Sequence, residues 1–411
     1  MNSRELLENT LCCIRCGRCR GVTQERSPDM AFATQCPCGM TFYGAYEPAG
    51  LIYCARGIAQ GTLTWNKDLA KVLYACTLCG YCDDLCQRSI RYTPAIEIIE
   101  ELRRLVPDEL KPKSIIKAAA DVKVPKDHRL ADLKQFGIHE VKEGRGTDTL
   151  FFPDKTLLLN TPKLNEIGYV LQQSNRKIGC FMGDPLPPVS ADLLNGGCQK
   201  ELENCVSQID KKLSAYEIKT VIVFNPESLS VLKRFSQSGA TFISITRFCA
   251  DLLKKTRVKR VKLPTVTYQD PCHLGRYAKE YWAPRIIMKE LGLNLKEMWR
   301  SRNNALCCGA GGGVLLYDSS LARTYAAHRW QEARATGAQI MITACPSCYV
   351  NLKQSKPRGF KVVDITSLMA QAFGYSKTAY RQVPRKPRLV GGDESAQSNN
   401  NKIWVMTRTE Y

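Results

Sequence analysis

The stretch QIMITACPSC, residues 339–348, places an apolar run directly before a loop that carries Cys345 and Cys348. A short apolar run bounded by a turn signal is typical of a buried strand in a parallel sheet. The stretch TVIVFNPES, residues 220–228, has the same form 120 residues earlier, but Asn225 and Ser228 stand where the later stretch has cysteines. The sequence therefore contains two related strand–loop units, of which only one keeps its thiols.

The similarity extends beyond these two units. ATFISI at 240–245 corresponds to FKVVDI at 360–365, and a leading strand at 156–160 corresponds more loosely to one at 265–270. We therefore predict two repeated α/β modules, at 150–258 and 262–373. Residues 1–106 are predicted to form a separate cysteine-rich domain. Residues 107–149, with a turn signal at Gly144-Arg145-Gly146, are predicted as a linker, and residues 374–411 as a basic, flexible tail.

Cysteine content separates this chain from ordinary globular proteins, since 20 of its 411 residues are cysteine. Secreted proteins use such a density as disulfides, mostly in small domains behind a signal peptide. Residues 1–10 are polar and charged, and no apolar run reaches the ~20 residues that span a bilayer. We expect thiolates on metal in a reducing compartment, in the cytoplasm or at the cytoplasmic face of a membrane.

Two evenly spaced cysteine runs lie in the first hundred residues. The clearer run has the form C-x-x-C-x-x-C-x-x-x-C, and the earlier run begins in the same way. Three thiolates at this spacing can curl around one face of a four-iron cubane, and in two-cluster ferredoxins the last cysteine of each run binds the other cluster. The predicted ligand sets are Cys13, Cys16, Cys19 with Cys86, and Cys76, Cys79, Cys82 with Cys36.

Two questions about these runs stay open at this point. Cys36 precedes Pro37, as a displaced fourth ligand often precedes proline, but Cys12 and Cys38 are competing ligands. Zinc is the alternative metal, although zinc sites use two C-x-x-C pairs and evenly spaced triplets fit them poorly. Pro94 opens a predicted helix that runs to about residue 105. The domain is therefore predicted to be a largely helical two-cluster ferredoxin domain.

A second group of cysteines lies in the later module and comes from three segments. Adjacent cysteines fit poorly at one corner of a cubane, but each can bind a different iron of an opened cluster. Glycines follow the adjacent pair, and glycine lets backbone N–H groups approach sulfide, so Gly309, Gly311 and Gly312 are predicted to bind the cofactor. A phosphate-binding loop is the alternative, but it lacks the P-loop Lys-Ser/Thr and a G-x-G-x-x-G pattern. The predicted ligands are Cys272, Cys307, Cys308, Cys345 and Cys348.

The two C-x-x-C-x-x-C runs followed by C…CCG…C-P-x-C resemble the iron–sulfur subunits of the heterodisulfide reductase family over residues 12–373. That family includes the D-subunit of the methanogen enzyme and the C-subunit of anaerobic glycerol-3-phosphate dehydrogenase, together with related components of sulfate-reducer respiratory complexes. The resemblance implies a role in anaerobic metabolism. It also implies two cubane [4Fe-4S] clusters and one noncubane [4Fe-4S] cluster, the latter on the five cysteines of the intact CCG module.

The chain departs from the family in its first module. Full heterodisulfide reductases have two intact CCG modules, each of which binds one sulfur of the substrate. Here the first module has Asn225 and Ser228 in place of cysteines, and only Cys180 remains of its cysteine pair. Amide and hydroxyl groups are poor iron ligands, so this module is predicted to be degenerate and to carry no cluster. Three further cysteines are predicted to be small buried hydrophobes, namely Cys198, Cys205 and Cys249.

We predict an iron–sulfur electron-transfer subunit of a heterodisulfide-reductase-like oxidoreductase complex. Because no flavin, haem or nicotinamide motif is visible, electrons would pass between a partner and the CCG cluster. The partner would be a flavoprotein, a cytochrome or a membrane quinone-reactive subunit. The alternative is a catalytic subunit that reduces a disulfide or another sulfur substrate at the CCG cluster.

Charge and histidine content refine this interpretation. The net charge of +20 is spread along the chain without the aromatic interleaving or recognition helix of a nucleic-acid binder. We therefore expect acidic protein partners and no nucleic acid. His273 directly follows Cys272, and is either a group that tunes or protonates at the cluster or a loop histidine bonded to backbone.

Overall fold

The computed structural model describes residues 3–21, 32–87, 92–121, 123–142 and 147–376. The predicted turn signal at Gly144-Arg145-Gly146 lies outside these residues, as does the predicted tail beyond residue 376. The described chain is about half helical and contains two small parallel sheets.

The described residues before position 107 contain helices and no named strand. The predicted helix after Pro94 is confirmed as Ala95–Leu105, and its isoleucines at 96, 98 and 99 are buried. The helices are α1 Ser3–Leu11, α2 Pro37–Thr41, α3 Pro48–Ala59, α4 Lys67–Tyr74, α5 Tyr81–Cys86 and α6 Ala95–Leu105.

The first sheet has five parallel strands in the order β1-β3-β2-β4-β5. The strands are β1 His139–Glu140, β2 Thr149–Phe152, β3 Ile178–Cys180, β4 Thr220–Val223 and β5 Thr241–Ser244. Between and after them lie α8 Lys155–Leu158, α9 Thr161–Gln172, α10 Asp192–Asn195, α11 Gln199–Ala215, α12 Pro226–Phe235 and α13 Ile245–Leu253, while α7 Lys113–Ala120 precedes the sheet. Helices between parallel strands cover both faces, so β2 is buried at all four positions.

The second sheet has three parallel strands in the order β6-β7-β8. The strands are β6 Val266–Gln269, β7 Ile340–Thr343 and β8 Lys361–Asp364. The accompanying helices are α14 Ala283–Glu290, α15 Val314–Tyr317, α16 Ser319–Ala335, α17 Pro346–Ser355 and α18 Ile365–Ala372, and a π-helical turn covers His273–Tyr277. A single apolar core extends through both sheets, joining Val221 and Phe242 to Val266 and Ile342.

Both predicted strand–loop units are present, since β4 is followed by α12 and β5, and β7 is followed by α17 and β8. The predicted leading strand of the first unit is wrong. Residues 155–158 are helix α8, because the Asp154 side chain caps its start by accepting a hydrogen bond from the Leu157 N–H at 3.2 Å. The apolar run just before the cap, Thr149–Phe152, forms the strand instead.

The predicted linker at 107–149 is not an extended connection. It contains α7, a 3₁₀ segment at Leu130–Phe136 and strand β1, which pairs with β3. Ile115, Leu130 and Phe136 are buried. These apolar residues are spaced between charged ones, so composition alone resembled a linker although the segment packs against the rest of the chain.

Candidate metal centre

The first cysteine run opens onto a cavity of about 300 Å³. Its walls include the predicted fourth ligand from the other run, Cys86, and the apolar side chains of Ala49 and Ile52. The thiols that line the cavity belong to Cys12, Cys13, Cys16, Cys19, Cys82 and Cys86. A cavity of this size bordered by this many thiols fits a four-iron cluster, and Cys12 remains a competing ligand.

Both runs have the same backbone conformation. In CIRCGRC, residues 13–19, Arg15 has φ 56° and Gly17 has φ 73°, and in CTLCGYC, residues 76–82, Leu78 has φ 47° and Gly80 has φ 73°. A positive φ is rare for a residue with a side chain, and such strain concentrates at functional sites. Two loops that adopt it at equivalent positions are consistent with two sites of one design.

The cysteines of the second run point in three directions. Cys79 contacts the thiol of Cys307 in the CCG module, whereas Cys82 lines the cavity of the first run. Cys76 lies beside Cys38, which also contacts Cys36. The structure thus brings both Cys36 and Cys38 to Cys76, and the predicted choice of Cys36 as ligand stays a prediction.

The five CCG cysteines come together although they belong to distant parts of the chain. Cys272 follows β6, the adjacent pair lies in the loop before α15, and Cys345 and Cys348 lie at the start of α17. Successive thiols in the order Cys272, Cys307, Cys308, Cys348, Cys345 are hydrogen-bond partners. All five are less than 10% exposed.

Contacts among these thiols change their acidity. Hydrogen bonds from Cys307 and Cys348 lower the pKa of Cys308 to about 5, whereas the hydrogen bond to Cys307 and burial raise the pKa of Cys272. A lowered thiol pKa favours the thiolate, which is the form that binds metal.

Within the described ranges, no group of three cysteine, histidine or acidic side chains has the arrangement needed to hold a single metal ion.

Backbone N–H groups point at ligand sulfurs in each of the three predicted sites. Leu78 donates to Cys76 Sγ at 3.4 Å, Thr93 to Cys86 Sγ at 3.3 Å and Gly309 to Cys307 Sγ at 3.4 Å. Hydrogen bonds to sulfur stabilise negative charge on cysteine and tune iron–sulfur clusters. Each of the three predicted sites therefore has at least one ligand whose sulfur already accepts such a bond.

The glycines after the CC pair serve close packing of protein backbone. A Cβ on Gly312 would lie 2.2 Å from the Cys76 carbonyl oxygen, and one on Gly311 would lie 2.7 Å from that of Thr77. A Cβ on Gly309 would lie 2.6 Å from the Ala322 carbonyl oxygen. The glycine loop therefore rests directly on the second cysteine run, and its predicted approach to a cofactor stays a prediction.

Two buried arginines also join the CCG loops to the second cysteine run, and they were not predicted from the sequence as site residues. Arg103 donates to the carbonyl oxygens of Cys76 and Gly312, both at 2.7 Å. Arg276 donates to that of Cys79 at 2.6 Å and to that of Ala305 at 2.8 Å. Nothing in the local sequence distinguishes them from the other basic residues, because their role depends on contacts between distant segments.

The first repeated unit, predicted to be degenerate, has hydrogen-bonded polar side chains at the positions of the missing cysteines. Asn225 caps α12 by accepting from the Glu227 N–H at 2.9 Å, and its amide donates to Asp154 at 2.7 Å. Ser228 donates to the Val189 carbonyl at 2.7 Å. Both side chains are buried and fully engaged with protein atoms. They occupy the helix positions that Cys345 and Cys348 occupy in α17.

Of the three cysteines predicted to be small buried hydrophobes, two are buried and one is partly buried. Cys180, Cys205 and Cys249 are buried in the apolar core, where burial raises the pKa of each thiol. Cys198 is only partly buried, at the start of α11, and packs against the same core. A buried thiol without a charge partner is inert, which agrees with a packing role.

The two loops that begin α12 and α17 face each other. Glu227 of the degenerate unit is a hydrogen-bond partner of Ser347, which lies between the two CCG cysteines of α17. Burial and the neighbouring Asp192 raise the pKa of Glu227 to about 7. This buried carboxyl group has no counterpart among the predicted site residues.

His273 is held by side chains. Its Nδ1 is 2.7 Å from Ser230 Oγ, and its ring stacks on Tyr277 with centroids 4.7 Å apart. Burial and the nearby Arg276 lower the pKa of His273 to about 4, so the ring is neutral at physiological pH. The hydrogen bond runs to a serine side chain and not to backbone as one alternative predicted, and the role of His273 at the cluster stays a prediction.

Among the described helices, none has the length and apolar character needed to cross a bilayer.

Residues 266–353 match the family model described as "Cysteine-rich domain", or CCG. The chain contains a CCG domain. The match runs from the first residue of β6 into α17 and includes the five converging cysteines.

Curated relatives extend this likeness. The chain is 40% identical over 140 residues to the D-subunit of the dihydromethanophenazine:CoB--CoM heterodisulfide reductase of Methanosarcina acetivorans, a match that covers 33% of this chain and 34% of that protein. It is 25% identical to a "Probable membrane-anchored ferredoxin" of Chromohalobacter salexigens, over 88% of this chain and 59% of that protein. It is 27% identical to the B-subunit of the fumarate reductase (CoM/CoB) of Methanothermobacter marburgensis, over 73% of this chain and 62% of that protein.

The resemblance to heterodisulfide reductase iron–sulfur subunits is therefore confirmed. The relatives carry the names of redox subunits and ferredoxins, so this CCG protein is similar to iron–sulfur oxidoreductase components of multi-subunit complexes. The chain matches only about a third of the length of the heterodisulfide reductase relatives.

Proposed function

We propose that this CCG protein is an iron–sulfur electron-transfer subunit of a heterodisulfide-reductase-like complex. Electrons would pass between a partner protein and the CCG site by way of the two ferredoxin-type sites. The observation that carries this proposal is the contact between Cys79 and Cys307, which joins the second cysteine run to the CCG cysteines.

The two sites are adjacent because the chain packs one loop on the other. The Tyr277 hydroxyl donates to the Leu78 carbonyl at 2.7 Å, and Arg276 binds the next carbonyl along, that of Cys79. The glycine loop covers the same run from the other direction. Electron transfer between two centres is faster when they are closer, so direct contact between ligand residues favours a relay.

The first run supports an entry point for electrons. Cys12 and Cys16 are exposed, whereas Cys79, Cys82 and the CCG cysteines are buried. A partner such as a flavoprotein, a cytochrome or a quinone-reactive protein could therefore approach the first site and not the others. The clusters, when bound, would supply one-electron chemistry. The chain would place the first site near the surface and the CCG site in the interior.

The ligands that would hold the clusters are those predicted above. Cys13, Cys16, Cys19 and Cys86 would hold one cubane, and Cys76, Cys79 and Cys82 with Cys36 would hold the other. The noncubane cluster would be bound by the five CCG cysteines. The pattern of cavity, converging thiols and N–H bonds to sulfur supports this assignment.

Metal content and spectroscopy test the proposal. Protein purified without oxygen should hold about twelve irons with matching acid-labile sulfide, as three four-iron clusters require. Cys79→Ala should remove one ferredoxin-type spectroscopic signal and leave the CCG signal in place. Stoichiometric zinc without sulfide in the wild-type protein would refute the proposal, and loss of both signals from the folded variant would refute the separation into sites.

The alternative, a catalytic subunit that reduces a disulfide or another sulfur substrate at the CCG cluster, has less support. A symmetric cleavage needs a second cluster to take the second sulfur, and Asn225 and Ser228 are engaged with protein atoms where its ligands would lie. Rapid turnover of such a substrate by the isolated chain would favour this alternative.

A further inference from the structure

Arg103 and Arg276 are buried cations at the contact between the second cysteine run and the CCG loops. Arg103 is 0% exposed and Arg276 is 5% exposed. Each guanidinium connects the same two structural parts, a carbonyl of a second-run cysteine and a carbonyl of the CCG loops. Carbonyl oxygens satisfy the N–H groups of a guanidinium but carry no net charge to offset it.

Neither arginine has a carboxylate within ion-pair distance in the parts of the chain that the structure describes. Other buried arginines differ in this respect, since Arg300 and Arg329 both pair with Glu332, at 3.1 Å and 2.7 Å. A buried charge without a counter-charge is strongly unfavourable. The described part of the chain thus keeps two buried cations without an ion-pair partner, and both lie beside cysteines.

The groups around Arg276 show where its counter-charge would be. Three thiols lie close enough for their charge to raise the pKa of Arg276, and they belong to both predicted sites: Cys79, Cys272 and Cys307. Burial lowers the pKa of Arg103, and the groups whose charge acts against that lowering are Cys76, Tyr74, Glu100 and Cys38, of which the two thiols lie at the second-run site. Thiolates bound to iron are anionic and would supply the missing negative charge.

We propose that Arg276 is a positioning residue shared by the second ferredoxin-type cluster and the CCG cluster, compensating the charge of both and holding their loops together, with Arg103 doing the same on the second-run side alone. This inference rests on the cluster assignment of the proposed function. A nearby positive charge stabilises the reduced, more negative form of a cluster and so raises its reduction potential. Arg276 therefore brings the potentials of the two clusters under the control of one side chain.

Redox titration followed by electron paramagnetic resonance tests this role. Arg276→Gln should shift the midpoint potentials of both the ferredoxin-type and the CCG signals to lower values. Arg276→Lys keeps the charge and should stay close to the wild-type midpoints. Arg103→Gln should lower the ferredoxin-type midpoint and change the CCG midpoint less.

Arg234→Gln is the matched control, because it removes one guanidinium that is already paired with Glu100 at 2.8 Å. Its midpoints should equal those of the wild type. Arg276→Gln protein with full iron content and unchanged midpoints, or with only the shift seen in the control, would overturn the inference.

Failure to assemble clusters is also informative. If Arg276→Gln loses iron while Arg276→Lys keeps its iron and its midpoints, charge compensation is supported. If the lysine variant loses iron as well, the guanidinium acts through packing and the inference is wrong. Absence of either signal from the wild-type protein would instead refute the proposed function, so the two failures are distinguishable.

Discussion

At the scale of single residues, the two repeated units differ in the residue that precedes an equivalent helix. Asn225 and Cys345 both precede a proline that begins a helix, α12 or α17. The asparagine caps its helix through a side-chain hydrogen bond, whereas Cys345 makes no side-chain cap bond. A side-chain cap contributes about 1 kcal/mol to helix stability, and α17 lacks this contribution. The amide in α12 therefore stabilises its helix, whereas the thiol in α17 is available as the ligand that we propose.

The degenerate unit predicts a clear difference between two cysteine substitutions. Cys180→Ala should leave the iron content unchanged, because Cys180 is buried in the apolar core and no cluster is expected near it. Cys307→Ala should remove about four irons, the content of one cluster. Iron and sulfide analysis of both variants, with circular dichroism to confirm folding, measures the effect. Loss of iron from the Cys180 variant would mean that the first unit holds metal.

Glu227 predicts a pH dependence of stability. Its pKa is about 7 in the folded protein against an ordinary 4.5, so the folded state keeps a proton that the unfolded chain has released. The contribution of Glu227 to the free energy of unfolding should therefore fall as the pH rises from about 4.5 to 7, by at most about 3 kcal/mol. Other buried carboxyl groups with raised pKa values, such as Asp83, add to this fall, so Glu227→Gln should reduce it. Denaturant unfolding at several pH values checks it, and an equal slope in the variant would contradict it.

At the scale of elements, the loop between the CC pair and α15 packs so closely on its neighbours that it needs glycine at particular positions, which the sequence alone does not show. Gly312 and Gly313 both have positive φ, and a Cβ added to them would meet Thr77 and Ile115 respectively. The loop needs glycine both for its conformation and for the space it leaves. Glycine therefore allows the CCG loop to sit on the second cysteine run without a gap.

A pair of glycine substitutions separates conformation from contact. Gly337 has φ 74° and nothing within 4 Å of an added Cβ, so Gly337→Ala should cost only the left-handed strain, roughly 1–2 kcal/mol. Gly312 has φ 63°, and Gly312→Ala adds a clash with the Cys76 carbonyl, so it should cost clearly more and shift the ferredoxin-type signal. Thermal unfolding and spectroscopy of the two variants compare them. Equal losses would show that the loop does not rest tightly on the run.

At the scale of the whole molecule, the chain is organised around one contact region. The helical N-terminal part, the degenerate unit and the CCG unit all reach it, through Cys79, Glu227 and Cys307 respectively. The apolar core that runs through both sheets fixes the units relative to one another. The unit that carries Asn225 and Ser228 thus packs, through Glu227, against the start of α17, where Cys345 and Cys348 lie.

This organisation predicts weak or no cleavage of a heterodisulfide by the isolated chain. One sulfur could reach the CCG site, but the position for the second is filled by Asn225 and Ser228, which bond to Asp154 and Val189. Anaerobic assays with a reduced artificial donor should show turnover near background, while the same protein exchanges electrons with that donor. Fast turnover would promote the catalytic alternative.

Several features follow from the sequence because they depend on local order. The strands at 220–223 and 340–343 and the helix after Pro94 are encoded by short apolar patterns and a proline. The CCG domain follows from cysteine spacing, since metal ligands need particular residue types at particular intervals. The helix at 155–158 was missed because one capping aspartate outweighs the strand preference of its neighbours.

What the tertiary structure alone decided is which distant residues meet. Cys79 and Cys307 are separated by more than two hundred residues, and so are Arg103 and Gly312. The burial of Arg103 and Arg276 without a carboxylate, and the pairing of Glu227 with Ser347, depend on how whole units pack. The cysteine thiols, their spacing and most of the helices and strands that carry them could be predicted from the sequence, because these features depend on residues that are close together in the chain. Their assembly into one connected centre is set by the shared core, whose contacts join segments that no local pattern links.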